Sequence, residues 1–176
     1  MSEVTKRPIA LVGLMGAGKS AVARALGERL GTAVADLDAL LEAETGRSVG
    51  QLFEERGEPW FRAREGELLR EALDAGARVV ACGGGLVLAP RHRALLAERC
   101  RVVWLEVTPV EAARRIGGDA ALRPLLAGGD VAARLEGLLA ERRTLYAEVA
   151  DLSLPTDGAE PASLAERILS GLEHVA

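Results

Sequence analysis

Eight residues, Gly13-Leu14-Met15-Gly16-Ala17-Gly18-Lys19-Ser20, restrict the folds open to this chain more than any other stretch. They match G-x-x-x-x-G-K-[ST] at every fixed position. They stand between a hydrophobic run at 9–12 and a helix-like run at 21–30. A strand must run into a tight glycine turn, and a helix must leave it. Glycine lets the backbone wrap closely enough for successive N–H groups to converge on phosphate oxygens. The positive end of the following helix adds to that attraction.

The same residues define a nucleoside triphosphate site, with ATP the expected ligand. Lys19 can reach the β- and γ-phosphates, and the Ser20 hydroxyl can ligate Mg²⁺. Gly16, Ala17, Gly18, Lys19, Ser20 and Ala21 are the candidate nucleotide contacts. Basic-residue usage agrees. Of 22 basic residues only Lys6 and Lys19 are lysine, and the rest are arginine. A chain that otherwise prefers arginine keeps a compact, flexible ammonium where phosphates would lie.

Hydrophobic residues make up 49% of the 176, enough for a substantial core in one domain spanning 1–176. Aromatics are only 3%, so that core must be Leu, Val and Ala. A net charge of −4 argues against a nonspecific nucleic-acid binder but permits an anionic small substrate held by local arginines. Cys82 and Cys100 show neither metal-ligand nor disulfide spacing and read as small buried hydrophobes. His92 and His174 have no partner motif and read as surface residues. No signal peptide opens the chain and no apolar stretch is long enough to span a bilayer. A cytoplasmic, monomeric protein without nucleic-acid or membrane partners is expected.

Hydrophobic runs and breakers alternate along the chain. Strands are expected at 8–12, 33–35, 78–81, 101–106 and 151–154. Helices are expected at 20–30, 38–44, from 48, 60–75, 90–99, from Pro109, 131–149 and 161–172. That alternation implies an α/β fold, a five-stranded parallel sheet with helices on both faces. A Gly-rich loop at 117–130 is long enough to close over a nucleotide as a mobile lid.

Ligands of open parallel sheets gather beyond the C-terminal ends of the strands. Three features fall there: the phosphate loop, Asp36-Leu37-Asp38, and Gly83-Gly84-Gly85. Residues two apart in an extended segment point the same way, so Asp36 and Asp38 can both face the phosphates. One carboxylate can serve Mg²⁺, usually through water, and the other an acceptor hydroxyl. Alternatively, Asp38 only caps the helix that follows. The three glycines permit close approach of a ligand, or form a flexible turn. Arg62 and Arg142 can each grip a carboxylate or phosphate through two parallel hydrogen bonds. Arg123, in the Gly-flanked loop, can stabilise charge on a transferred phosphoryl group.

Together these motifs resemble the shikimate kinase family, small relatives of the nucleoside monophosphate kinases. The resemblance runs over about 8–172. It rests on the phosphate loop, Asp36-Leu37-Asp38, Gly57-Glu58-Pro59-Trp60-Phe61-Arg62, the three glycines, Leu122-Arg123-Pro124-Leu125-Leu126, and Glu141-Arg142 with Leu145-Tyr146. It implies a three-layer α/β/α P-loop kinase in which ATP phosphorylates the 3-hydroxyl of shikimate. It also implies roles. Arg62 and Arg142 match residues that hold the shikimate carboxylate. Asp38 matches the residue that binds ring hydroxyls and accepts the proton, and Gly83, Gly84 and Gly85 match the wall behind the ring. Ser20 and Asp36 match the Mg²⁺ shell, Lys19 the phosphate-binding lysine, Arg123 the lid arginine, and Arg115 a residue near the adenine. A substrate-binding segment at about 45–73 and a lid at about 117–128 follow. Departures are small: Ala21 stands where Ser or Thr often follows the loop, Cys82 precedes the glycines, and the lid carries Asp119-Ala120-Ala121. The alternatives are another small-molecule kinase such as a gluconate kinase, or a noncatalytic nucleotide-binding regulator. The first would not need two arginines for a ring carboxylate beside Asp38, and Lys19, Asp38 and Arg123 together argue against the second.

Overall fold

A computed structural model describes residues 7–118, 124–126 and 129–174. The chain begins with β1 (Ile9–Val12), whose four residues are all buried. A run with no polar face needs cover on both sides, which places it at the centre of a sheet. It is central: among the described residues five parallel strands lie in the order β2-β3-β1-β4-β5. The others are β2 (Val34–Asp36), β3 (Val79–Ala81), β4 (Arg101–Glu106) and β5 (Leu152–Pro155). Ile9 pairs with Val79 on one side and with Arg101 on the other. Edge strand β5 alternates half-buried and exposed residues and tolerates Pro155 at its end.

Among the described residues eight α-helices connect and cover these strands: α1 (Lys19–Leu30), α2 (Leu37–Thr45), α3 (Val49–Arg56), α4 (Glu58–Asp74), α5 (Pro90–Arg99), α6 (Pro109–Ile116), α7 (Val131–Val149) and α8 (Pro161–His174). α1 packs against α8, while α5 contacts both α4 and α7. The step from β1 to β2 runs opposite in direction to the steps from β3 to β4 and β4 to β5. With right-handed crossovers, that reversal puts the two helix groups on opposite faces. The reversal point is the C-terminal end of β1, between β3 and β4, where a crevice opens.

Local chemistry accounts for the helix ends. Asp130 caps α7 through Ala132 and Ala133, Thr108 caps α6 before Pro109, and Ser48 with Gln51 forms a reciprocal capping box on α3. Gly57 joins α3 to α4, and α4 begins at Glu58, two residues before the start expected at 60. Pro59 sits in the first turn, where its missing N–H costs no hydrogen bond.

The core is aliphatic, as the composition requires. Its few aromatics are placed against one another: Trp104 stacks on Tyr146, with ring centres 5.7 Å apart. Leu11, Leu26 and Leu105 are fully buried. Truncating any one to Ala costs about 2–5 kcal/mol. Both cysteines are buried. Burial pushes their thiols up, to about 11 for Cys100, so neither is a ready nucleophile. His92 departs from expectation: it is only 3% exposed, enclosed beside a short 3-10 turn at Leu86–Leu88.

Candidate active site

The phosphate loop leaves β1 at Gly13 and enters α1 at Gly18. Gly16 (φ 82°) and Gly18 (φ 86°) adopt left-handed backbone that L side chains rarely take. A Cβ on Gly16 would also lie 2.8 Å from the Ala112 carbonyl, so α6 closes one side of the loop. Lys19 folds back over the loop, its Nζ donating to the carbonyls of Gly13 (2.8 Å) and Leu14 (2.9 Å). Ala17 is buried, and its N–H is bonded to the Leu14 carbonyl at 3.1 Å. Gly16, Gly18, Lys19, Ser20 and Ala21 line a cavity of about 710 Å³. Ala17 lies beneath them.

Arg115, on α6, ties this loop to the end of the sheet. Its guanidinium donates to the carbonyls of Gly16 (3.3 Å) and Thr156 (2.7 Å), and its Nε to Glu111 (2.8 Å). Thr156 is fully buried, and its hydroxyl donates to the Glu106 carbonyl at 3.0 Å. Nothing near Thr156 in the sequence marked it beyond its place just after the fifth strand.

Asp36 and Asp38 both line the cavity, though not by the geometry expected. β2 ends at Asp36 and α2 starts at Leu37, so the two do not share an extended segment. Asp36 takes the capping role, its Oδ1 accepting from the Ala39 N–H at 3.3 Å. Asp38 sits in the first turn of α2 and lies over Gly83, where a Cβ would stand 3.3 Å from its Oδ1. The cap considered for Asp38 therefore falls two residues earlier.

Each of the three consecutive glycines makes room for a different neighbour. A methyl group on Gly83 would collide with Glu65, and one on Gly85 with the guanidinium of Arg62. Gly84 lies against the phosphate loop, where a Cβ would stand 3.3 Å from the Met15 nitrogen, and 3.8 Å from Arg142. The Gly84 carbonyl accepts from the Tyr146 hydroxyl at 2.5 Å. Burial pushes that phenol up to about 12, with nearby Arg142 opposing the shift, so the hydroxyl stays protonated and donating.

Arg62 (α4) and Arg142 (α7) both line the cavity and border this turn. Arg62 lies over the rings of Phe61 and Phe53, 5.2 and 5.9 Å from their centres, and donates to Glu65 at 2.5 Å. Arg142 is 3% exposed, and its buried Nε has no hydrogen-bond partner among the described residues. The same holds for Oε1 of Glu65. Such groups are costly unless something completes them. In the sequence Glu65 is one glutamate among many on an amphipathic helix, with no local mark of its burial. Burial raises its pKa to about 7, against the pull of Arg62. Arg123 and most of the lid lie outside the described residues; of the lid centre, Leu126 is buried and Leu125 lines the cavity.

A phosphate loop at the reversal point of a parallel sheet, opening into one cavity with a carboxylate, the buried Arg142 and the half-buried Arg62, defines a phosphoryl-transfer enzyme acting on a small anionic alcohol. The shikimate kinase family model matches residues 15–173. A shikimate kinase of Halorhodospira halophila is 46% identical, covering 96% of this chain and 95% of its own. The solved structure of shikimate kinase from Acinetobacter baumannii in complex with shikimate is 37% identical, with a TM-score of 0.89 over 94% of this chain and 92% of its own. A gluconokinase from Sinorhizobium meliloti, 20% identical with a TM-score of 0.60 over 98% of this chain and 94% of its own, shares the fold alone. The chain belongs to the shikimate kinase family.

Proposed function

We propose that this chain transfers the γ-phosphoryl group of ATP to the 3-hydroxyl of shikimate, giving shikimate 3-phosphate and ADP on the route to chorismate and the aromatic amino acids. One observation carries the reading: the phosphate loop, Asp38, Arg62 and Arg142 line the same cavity, with the triple-glycine turn among them. The unpartnered Nε of Arg142 calls for an anion, which a substrate carboxylate supplies. Arg62 provides the second grip, held in place by Glu65. The bare backbone at 83–85 forms the wall for the ring.

The N–H groups of Gly16, Gly18, Lys19, Ser20 and Ala21 receive the phosphates, and the Lys19 ammonium neutralises charge on them. Arg115 packs near the adenine. Asp38 orients the acceptor hydroxyl and takes its proton as the oxygen bonds to phosphorus. The bond from phosphorus to the β–γ bridging oxygen breaks, and ADP leaves with that electron pair. Arg123 completes charge stabilisation from the lid, which closes with the 45–73 segment and excludes water. Ser20 and Asp36, both hard oxygen donors on the cavity wall, fit Mg²⁺. When bound, the ion would neutralise charge on the phosphates. Catalysis is mainly positioning and electrostatics.

A coupled assay of ADP release, run with shikimate, with gluconate and without acceptor, tests this. Release that depends on shikimate alone is expected. Release with gluconate, or none beyond the acceptor-free rate, overturns the reading.

A further inference from the structure

Two side chains fill glycine notches at α4, one reaching out from the helix and one reaching in from α5 behind the triple-glycine turn. Arg62, on α4, fills the notch left by Gly85 on the turn. His92, at the start of α5 behind the turn, fills a notch on α4: a methyl group on Gly66 would collide with its ring. Gly66 is one helical turn after Arg62 and directly follows Glu65, so both notches sit on the stretch of α4 that bears the cavity charges.

The imidazole is fixed at both nitrogens. Nε2 accepts from Nε of Arg91 at 3.3 Å, so Nδ1 carries the hydrogen and donates to the Leu86 carbonyl at 3.2 Å. Leu86 directly follows Gly85. Burial pushes the imidazole pKa down; the bond to Leu86 opposes this, while Arg91 on α5 and Arg62 and Arg70 on α4 reinforce it. The neutral ring that this bonding pattern needs is therefore the favoured one. The remaining carbonyls of the turn, of Val87 and Leu88, accept from Arg93 at 2.8 and 3.4 Å. Arg93 thus holds the turn to α5, and His92 carries the link onward to Gly66.

We propose that His92 is a positioning residue for recognition of the acid substrate: seated in the Gly66 notch and bonded to the Leu86 carbonyl, it sets the register of α4 against the glycine turn and so where Arg62 presents its guanidinium. This rests on the reading of Arg62 as a carboxylate contact. The phosphate loop, on the far side of Gly84, is not part of the linkage.

Steady-state kinetics of Gly66→Ala, His92→Ala and the double variant test the proposal, with thermal melts in parallel. Alanine is the better helix former, so Gly66→Ala should stabilise α4 if the notch is irrelevant. The expected result is a rise of about tenfold in KM for shikimate with KM for ATP within about twofold, and substantial recovery in the double variant, whose smaller residue 92 frees the notch. Arg93→Ala combined with Gly66→Ala should give no recovery. Should Gly66→Ala fail to fold, His92→Asn keeps an N–H near the Leu86 carbonyl but empties the notch, and a rise of about threefold in KM for shikimate at unchanged kcat is expected. A double variant no better than Gly66→Ala, equal changes in both KM values, or an unaltered His92→Asn enzyme overturns the proposal. Activity with shikimate in any of these variants leaves the functional reading standing.

Discussion

The two ends of the cavity are built on opposite plans. The phosphate cradle of the nucleotide end is continuous in sequence and made largely of backbone: 13–20 carry β1 into α1, and Lys19 is held by carbonyls five and six residues before it. The proposed acid end is assembled from α2, α4, α7 and the turn after β3, and its charged groups, buried for Glu65 and Arg142 and half-buried for Asp38 and Arg62, lie against glycines. A phosphate presents many equivalent oxygens, so converging N–H groups recognise it wherever the loop forms. A ring bearing one carboxylate and several hydroxyls needs charges at fixed separations, and only packing between distant elements supplies those. The acid end should therefore be the more sensitive to pH and to remote substitution.

Substitution of Lys19 by Ala should break the nucleotide end outright, lowering kcat by about 10²–10³ at saturating shikimate. Stopped-flow or coupled ADP assays measure it, and a fully active variant contradicts the loop assignment. Arg62→Ala should act at the other end. It should cost about 2–3 kcal/mol in kcat/KM for shikimate with nucleotide affinity nearly intact, because it also strands Glu65 without its ion pair. Calorimetric titration with each substrate separates the two, and equal losses point to a damaged fold.

The smallest effect, and the sharpest contrast, is with pH. Glu65 releases its proton near pH 7 when folded and near 4.5 when unfolded. Between those values the folded state holds the extra proton, so stability falls as pH rises across that window. Function runs the other way. The Arg62 guanidinium is paired by an ionised Glu65, so KM for shikimate should rise as pH drops below about 7 while KM for ATP stays flat. Glu65→Gln should flatten both the melting profile and the KM profile. A wild-type KM for shikimate independent of pH between 5.5 and 8 (about the span over which Glu65 titrates) removes Glu65 from substrate binding.

Most of the framework was legible along the chain. The all-hydrophobic run at 9–12 announced a central strand, and the glycines and prolines at helix ends marked boundaries to within a residue or two. The departures have two causes. Strand periodicity puts Asp36 and Asp38 on one side, but it stops where β2 hands over to α2. His92 looked like a surface residue because nothing local reveals that Gly66, 26 positions away, leaves a slot of its size. Glu65 was invisible for the same reason: its burial depends on Gly83.

Chain order and local chemistry suffice for a strand, a phosphate-cradling turn and a helix, since those contacts are made between neighbours and need no partner from elsewhere. Which charges stand beside that cradle, how deeply each is enclosed and what ionisation it prefers had to wait for the packed molecule. Burial and electrostatic pairing arise between residues far apart in the chain, and a residue's own sequence neighbourhood carries no record of them.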